Sequence, residues 1–302
     1  MVIWELRLQS RADCPRGQRI VQSKPPEKGH IKMKRTRWFL GTCLVGIVAG
    51  SLICLAAGSG GGKKKILFYS QSSGYRHAVV ARPLTGEISH AEKVFKEIAT
   101  KAGYDVYLSQ DYHDLDNEGK IKKFDAIVLY TTLSPRINRD ALLKWVRDGG
   151  TLIGVHCATD SFYDWKEYGK MMGGYFKRHG CTHKDVHIKV ENTKHPATRM
   201  LGKEWVIHDE IYQFREDSFS RDNVATLMSI DTEATPEANL TREFHNMERG
   251  KDYPVSWTNT EGKGRVFYTS LGHRADVWTN PKFQQHLMGG IAWALGQAKE
   301  GS

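Results

Sequence analysis

The chain has 302 residues, of which 40% are hydrophobic and 26% are charged, so it can form a normal globular core. Its formal net charge of +10 arises in residues 1–65, which hold 13 lysines and arginines against 3 acidic residues, and the remainder holds 31 of each sign. Because nucleic-acid binding needs positive charge clustered on the folded domain, this distribution predicts no nucleic-acid partner.

The N-terminal part contains an uncharged apolar run at residues 38–57, which follows Lys34, Arg35 and Arg37. A basic flank before an apolar run is the order of an export signal, and the small residues at 56–59 offer a cleavage site. The run is also long enough to span a bilayer, so an uncleaved anchor is the alternative. We therefore expect export to the periplasm or cell surface, with membrane contact through this segment alone.

Three segments follow from this pattern. Residues 1–32 lack apolar periodicity and are interpreted as a disordered arm, or as a mis-assigned start upstream of Met33. Residues 33–62 comprise the signal peptide or anchor and a glycine-rich linker. Residues 63–302 are predicted to be one folded domain.

Short apolar runs alternate with helical patterns along the first part of this domain. Strands are predicted at Lys65–Ser70, Asp105–Leu108, Asp125–Tyr130 and Thr151–Val155. Helices are predicted at His90–Gly103 and from Asn138 through Val146. This alternation predicts an α/β fold, a layered sandwich whose mainly parallel central sheet is covered by helices on both faces.

The second half is less regular, and we interpret it as an elaboration of the same domain. The remaining predicted elements are strands at Asp185–Val190, Val224–Ile230, Tyr253–Trp257 and Arg265–Thr269, and a closing helix at Phe283–Leu295.

Reactive side chains follow several of these strands. Open parallel sheets place their sites beyond the carboxyl ends of the strands, so we expect His77, His156 and His273 to share one cleft. Imidazoles suit proton transfer or metal ligation near neutral pH. Asp209 and Glu210 are adjacent and would face opposite ways in a strand, so at most one of them points into a given pocket.

The turn after the fourth strand, Gly154–Ala158, has the small flanking residues of a hydrolase elbow, with His156 at its tip. Cys157 is one residue past the tip, and no base is placed beside it, which disfavours a thiol nucleophile. His179 follows a loop that borders the predicted pocket. Trp165, Trp257 and Trp278 could stack on a sugar, although core packing is the favoured role.

The domain resembles the ThuA-like (trehalose-utilisation) family over residues 64–298. The matching stretches, in chain order, are Ser73–His77, Gly149–His156, Ala158–Asp160, Gly173–Phe176, His195–Pro196, Asp209–Tyr212, Gly264–Tyr268 and Leu271–His273. The resemblance implies a flavodoxin-like fold similar to class I glutamine amidotransferases, and a link to trehalose, related disaccharides and 3-keto sugars. In those amidotransferases the elbow tip is cysteine, so His156 argues against amidotransferase activity.

Together these features predict an exported enzyme, a hydrolase, lyase or isomerase, whose partner is a small-molecule carbohydrate. His156 and His273 would shuttle protons, and Asp209 or Glu210 would orient an imidazole or act as base. The expected substrate-binding residues are His77, Thr159, Asp160, His179 and Tyr212. A divalent metal of unspecified identity could bind to some of these histidines and a carboxylate. The alternative function is a non-catalytic carbohydrate-binding or scaffold domain at the cell surface.

Overall fold

Strands and helices alternate from Lys65 to Met172 in the computed structural model, which describes residues 62–180, 185–240 and 247–301. Contacts group Lys63–Ser302 into one unit. The apolar run at 38–57, and with it the predicted signal or anchor, lies outside the described residues. Within the described ranges, no helix has the length and apolar character that crossing a bilayer requires.

The described strands have the following bounds: β1 Lys65–Tyr69, β2 Asp105–Ser109, β3 Ala126–Leu129, β4 Thr151–Val155, β5 Phe176–His179, β6 Asp185–Val190, β7 Glu204–His208, β8 Tyr212–Phe214, β9 Ala225–Ile230, β10 Pro254–Glu261 and β11 Gly264–Thr269. The described α-helices are α1 His90–Lys101, α2 Glu118–Ile121, α3 Arg139–Arg147, α4 Lys166–Met172, α5 Ala275–Thr279 and α6 Pro281–Ala294. Short 3-10 turns cover Ala78–Val80, Tyr112–Leu115 and His156–Thr159.

The order of the strands in the main sheet shows a flavodoxin-like architecture. The main sheet has nine strands in the order β2-β1-β3-β4-β11-β10-β9-β6-β7. The first five are parallel neighbours, and the spatial order of that half is the flavodoxin-like order. The α/β sandwich predicted from the sequence is thereby confirmed. The other four strands extend the sheet in antiparallel fashion, and β5 and β8 form a separate two-stranded ribbon.

Both faces of the parallel half are covered. Ile66 and Phe68 belong to one buried cluster, whereas Leu67 and Tyr69, which alternate with them along β1, belong to the other. Burial on both faces explains why β1 and β3 read as continuous apolar runs in the sequence. The helices therefore cover both faces of this half and leave its strand ends, where the candidate site lies, as the accessible edge.

Local capping fixes the helices that flank the site. Ser89 and Glu92 form a capping box at the start of α1, and Asn138 caps α3 as predicted. Glu92 is fully buried, and its carboxylate accepts hydrogen bonds from Arg82 and from the Ser70 hydroxyl at the end of β1. The long loop between β1 and α1 is thus tied to the helix that follows it.

Several elements of the second half were not predicted. Buried and exposed residues alternate along β7, as in a strand covered on one face. The exposed residue Val206 is apolar, so the sequence does not show the alternation of apolar and polar residues that predicts such a strand. β5 and β8 are only four and three residues long, too short to show a period. The helices α4 and α5 are equally short.

A close backbone approach at the start of β11 yields a prediction for stability. A Cβ atom on Gly264 would lie 2.1 Å from the Val146 carbonyl oxygen and 2.7 Å from that of Gly150. We expect Gly264→Ala to lower the free energy of unfolding by about 2 kcal/mol or more, because the backbone must shift. Urea unfolding measures this effect.

The matched control is Gly119→Ala in α2. Its Cβ would meet its nearest atom at 3.4 Å, an ordinary contact, on an exposed helical turn. We expect stability to be unchanged or raised by up to about 1 kcal/mol, since alanine favours helix. Equal destabilisation by both substitutions would contradict the packing argument.

Candidate functional site

Four side chains that are far apart in the chain meet at the carboxyl ends of the parallel strands. His77, His156, Glu210 and His273 each offer one ligand atom, and these atoms all lie within 4.8 Å of one another. The three imidazole rings make edge-to-face contacts with centroids 4.8 to 5.2 Å apart. We call these four residues the His/Glu cluster. The structure therefore brings together the three histidines that the sequence placed in one cleft.

The spacing within the cluster suits a metal ion. His156 Nε2 lies 3.4 Å from Glu210 Oε2, His273 Nδ1 lies 3.2 Å from the same oxygen, and the two nitrogens are 3.3 Å apart. Ligands at about 2.1 Å from a tetrahedral ion are separated by about 3.4 Å. The fourth member, His77, is buried, and its Nδ1 has no hydrogen-bond partner among the described residues. Three imidazoles and one carboxylate form a ligand set that divalent transition metals accept.

The backbone at the tip of the turn aims His156 into the cluster. His156 has a left-handed φ of 50°, which is rare for a residue other than glycine and typical of functional turns. Its Nδ1 donates a hydrogen bond to the Ser270 carbonyl at 2.7 Å, which leaves the Nε2 lone pair facing the cluster. The Tyr268 hydroxyl donates to the His156 carbonyl at 2.8 Å and holds the turn from below.

The structure distinguishes the two adjacent carboxylates. Glu210 points into the cluster, whereas Asp209 accepts hydrogen bonds from the backbone amides of Gly272 at 2.6 Å and Arg274 at 3.2 Å. Asp209 therefore fixes the loop that carries His273, and burial raises its pKa to about 7 despite those amide bonds. Its contacts are those of a positioning residue.

Burial and mutual contact set the charges of the cluster. Burial favours protonation of Glu210, but the neighbouring imidazoles of His156 and His273 outweigh burial and hold its pKa below the ordinary value. Burial would depress the pKa of His273, yet the Glu210 carboxylate raises it. Burial lowers the pKa of His156, and burial together with the neighbouring imidazoles lowers that of His77 to about 2. The histidines His77 and His156 are thus neutral near pH 7, the form that ligates a metal.

The five residues predicted to bind substrate occupy different depths. His179 lies at the rim with its side chain 37% exposed, and its Nδ1 is 3.0 Å from Glu210 Oε1. Tyr212 is buried, and its hydroxyl oxygen lies 3.0 Å from His156 Nε2. Thr159 lies beneath the cluster and bonds the Tyr268 hydroxyl at 2.9 Å. Asp160 is the C-terminal cap of the same turn and is partly exposed, and His77 belongs to the cluster itself.

Sequence reasoning missed several contributors. Tyr75 is 66% exposed, and its ring contacts that of His77 with centroids 4.9 Å apart. Tyr163 donates to Asp160 Oδ1 at 2.6 Å. The position of Tyr75 in the loop after β1 is only a weak indication that it belongs to the site. No sequence pattern identifies the backbone carbonyl of Ser270 as a partner of His156.

Cysteine and tryptophan take no part in the cluster. Cys157 is a buried free thiol, and burial raises its pKa well above the ordinary value, so it is not a thiolate near neutral pH. The core buries all three tryptophans, Trp165, Trp257 and Trp278, which is the role favoured from the sequence.

Comparisons with known proteins identify the family and the fold. The model of the ThuA family, described as trehalose utilisation, matches residues 65–294. A ThuA-like protein of Bacteroides uniformis is 20% identical, with a TM-score of 0.60 over 79% of this chain and 94% of that one. A ThuA-like protein of Parabacteroides merdae is 18% identical, with a TM-score of 0.60 over 78% and 90%.

A cytoplasmic protein of Salmonella typhimurium shares the fold at 11% identity, with a TM-score of 0.51 over 76% of this chain and 98% of that one. At these identities the likeness concerns the fold alone. A search of curated proteins finds no match to the sequence.

The His/Glu cluster yields a prediction about metal binding. We expect the protein to bind one Co²⁺ or Zn²⁺ ion per chain, and Glu210→Gln or His77→Ala to weaken binding by tenfold or more, because each removes one ligand. Visible absorption of bound Co²⁺ and competition with Zn²⁺ measure the affinity.

His113→Ala is the control, since that imidazole is exposed and pairs with Asp111. Its metal affinity should equal that of the unaltered chain. Unchanged affinity in Glu210→Gln and in His77→Ala would contradict the assignment of these residues as ligands.

Proposed function

This chain belongs to the ThuA family, and on that premise we propose that it is an enzyme of disaccharide or 3-keto-sugar metabolism, a hydrolase, lyase or isomerase. The family supports a carbohydrate-related role. The single observation that supports the enzymatic part is the convergence of His77, His156, Glu210 and His273 on one point at the rim of the sheet. A scaffold has no need of four converging ligand atoms in a buried position.

The substrate is an uncharged sugar that enters over the exposed side of the cluster. His273 and His179 are the partly exposed imidazoles there, and Tyr75 offers an exposed ring beside His77. Aromatic faces and hydrogen-bonding rims are the ordinary means of holding a sugar ring. A divalent ion bound by the His/Glu cluster would polarise a carbonyl or hydroxyl oxygen of the sugar.

The chain's own residues hold the ligand atoms in place. The Ser270 carbonyl orients His156, and Asp209 orients the loop of His273 through two backbone amides. His179 contacts the second oxygen of Glu210 and so restricts rotation of that carboxylate. Such partners typically contribute ten- to a hundredfold to metal affinity or activity.

We expect the protein to turn over a disaccharide or 3-keto-disaccharide, and His273→Ala to lower kcat by about a hundredfold or more while the sugar still binds. Product formation followed by chromatography, and sugar binding followed by calorimetry, separate the two effects. His113→Ala should behave like the unaltered chain.

A second outcome would favour the alternative function. If the chain binds these sugars but turns over none of a panel of disaccharides and 3-keto-disaccharides, with metal bound, the enzymatic proposal fails. The protein would then be a carbohydrate-binding domain.

We also propose that the protein is exported or anchored through residues 38–57, because a basic flank precedes that apolar run. N-terminal sequencing of the protein from fractionated cells tests this. A start within residues 57–60 indicates a cleaved signal, and an intact chain in the membrane fraction indicates an anchor. An intact chain in the cytoplasmic fraction would contradict export.

A further inference from the structure

The proton-transfer group of the site lies outside the His/Glu cluster. If the His/Glu cluster holds a divalent ion, its four lone pairs are engaged, and His156 and His273 cannot take up protons from a substrate as the sequence suggested. Asp209 is occupied by two backbone amides. Burial raises the pKa of Tyr212 well above the ordinary value, so its hydroxyl does not serve as a base. Asp160 and His179 are the remaining carboxylate and imidazole of the described site, and His179 already contacts the Glu210 carboxylate through its Nδ1.

Two hydrogen bonds fix the backbone of Asp160. Its backbone amide donates to the Cys157 carbonyl at 2.9 Å, and its carbonyl accepts from the Leu133 amide at 2.6 Å. Leu133 and Phe162 both have left-handed φ values, 57° and 54°, and the Phe162 amide donates to the Leu133 carbonyl at 2.6 Å. Paired unfavourable conformations beside a site indicate that the surrounding structure enforces a particular geometry.

The side chain of Asp160 is oriented as well. The Tyr163 hydroxyl donates to Oδ1 at 2.6 Å, and it also lies 3.3 Å from the Phe176 carbonyl, which anchors the tyrosine to β5. Oδ2 of Asp160 makes no hydrogen bond with the described residues. Tyr163 is therefore a positioning residue that presents one carboxylate oxygen.

The surroundings of Asp160 make it basic for a carboxylate. Burial raises its pKa to about 6, while the Tyr163 hydrogen bond and the charge of His179 act to lower it and the charge of Glu210 acts to raise it. Cys157 is the other ionisable neighbour, and its thiol is neutral. Near neutral pH the carboxylate is largely ionised yet still able to accept a proton, which is the condition for general acid–base catalysis.

We propose that Asp160 is the proton-transfer residue of this site, and that it acts on the carbon next to the ketone of a 3-keto sugar. The inference rests on the proposed function. The C–H bond breaks, the proton forms an O–H bond with Asp160, and the electron pair passes into the enolate of the sugar. The enolate then re-forms the ketone, its C=C electrons form a double bond to the anomeric carbon, and the glycosidic C–O bond breaks with its electrons on oxygen. That oxygen takes the proton from Asp160, which regenerates the carboxylate.

Exchange of the substrate's α-hydrogen in D₂O measures this step directly. With a 3-keto-disaccharide as the probe, NMR should show rapid exchange with the metal-loaded chain. Asp160→Asn should lower both exchange and kcat by about a hundredfold or more, because the amide is not a base. KM should change by less than about threefold and metal content should be unchanged, since Asp160 is not a ligand.

Asp164→Asn is the matched control, because that carboxylate is exposed, lies four residues further on and pairs with Arg139. Tyr163→Phe gives a second readout. Without the hydroxyl that stabilises the carboxylate, the pKa of Asp160 rises, so the acidic limb of the rate profile should move to higher pH.

The experiment distinguishes failure of the role of Asp160 from failure of the proposed function. Rapid exchange in Asp160→Asn, or a loss of bound metal in that variant, would overturn the role of Asp160 and leave the proposed function standing. Absence of both exchange and cleavage in the unaltered chain would overturn the proposed function, and the present inference with it.

Discussion

The candidate site depends on the contact of one buried carboxylate with three imidazoles. Glu210 is 5% exposed, and its two oxygens lie 3.0 to 3.4 Å from nitrogens of His156, His179 and His273. An isolated buried carboxylate is costly, so the imidazoles compensate for its burial and in turn take their orientation from it. Without Glu210 the cluster would be a group of buried bases with no counter-charge.

Two parts of the domain contribute residues to the site, the parallel half of the sheet and the elaborated second half of the chain. The parallel half of the sheet supplies His77, His156 and His273 from the carboxyl ends of β1, β4 and β11. The elaborated second half supplies Glu210 immediately before β8, whose ribbon with β5 also carries His179. A flavodoxin-like core alone would therefore present histidines but no carboxylate, and the second half completes the site.

The sequence predicted most of the parallel half because the physical signals there are strong. Continuous apolar runs identify the strands, and Asn138 identifies the start of α3. The rule on strand ends then places His156 and His273 in one cleft. Asp209 and Glu210 could not be distinguished, since alternation shows only that neighbours face opposite ways. Which of them faces the cluster depends on the backbone amides of Gly272 and Arg274, a tertiary contact that no local pattern encodes.

Membership of the ThuA family gives the chain a carbohydrate-related role, and we propose the His/Glu cluster as its chemical centre. X-ray absorption spectroscopy of the zinc-loaded protein tests this centre most directly. We expect a shell of nitrogen and oxygen neighbours at about 2.0–2.1 Å with imidazole scattering from three histidines. A shell with sulfur, or one without imidazole, would contradict it.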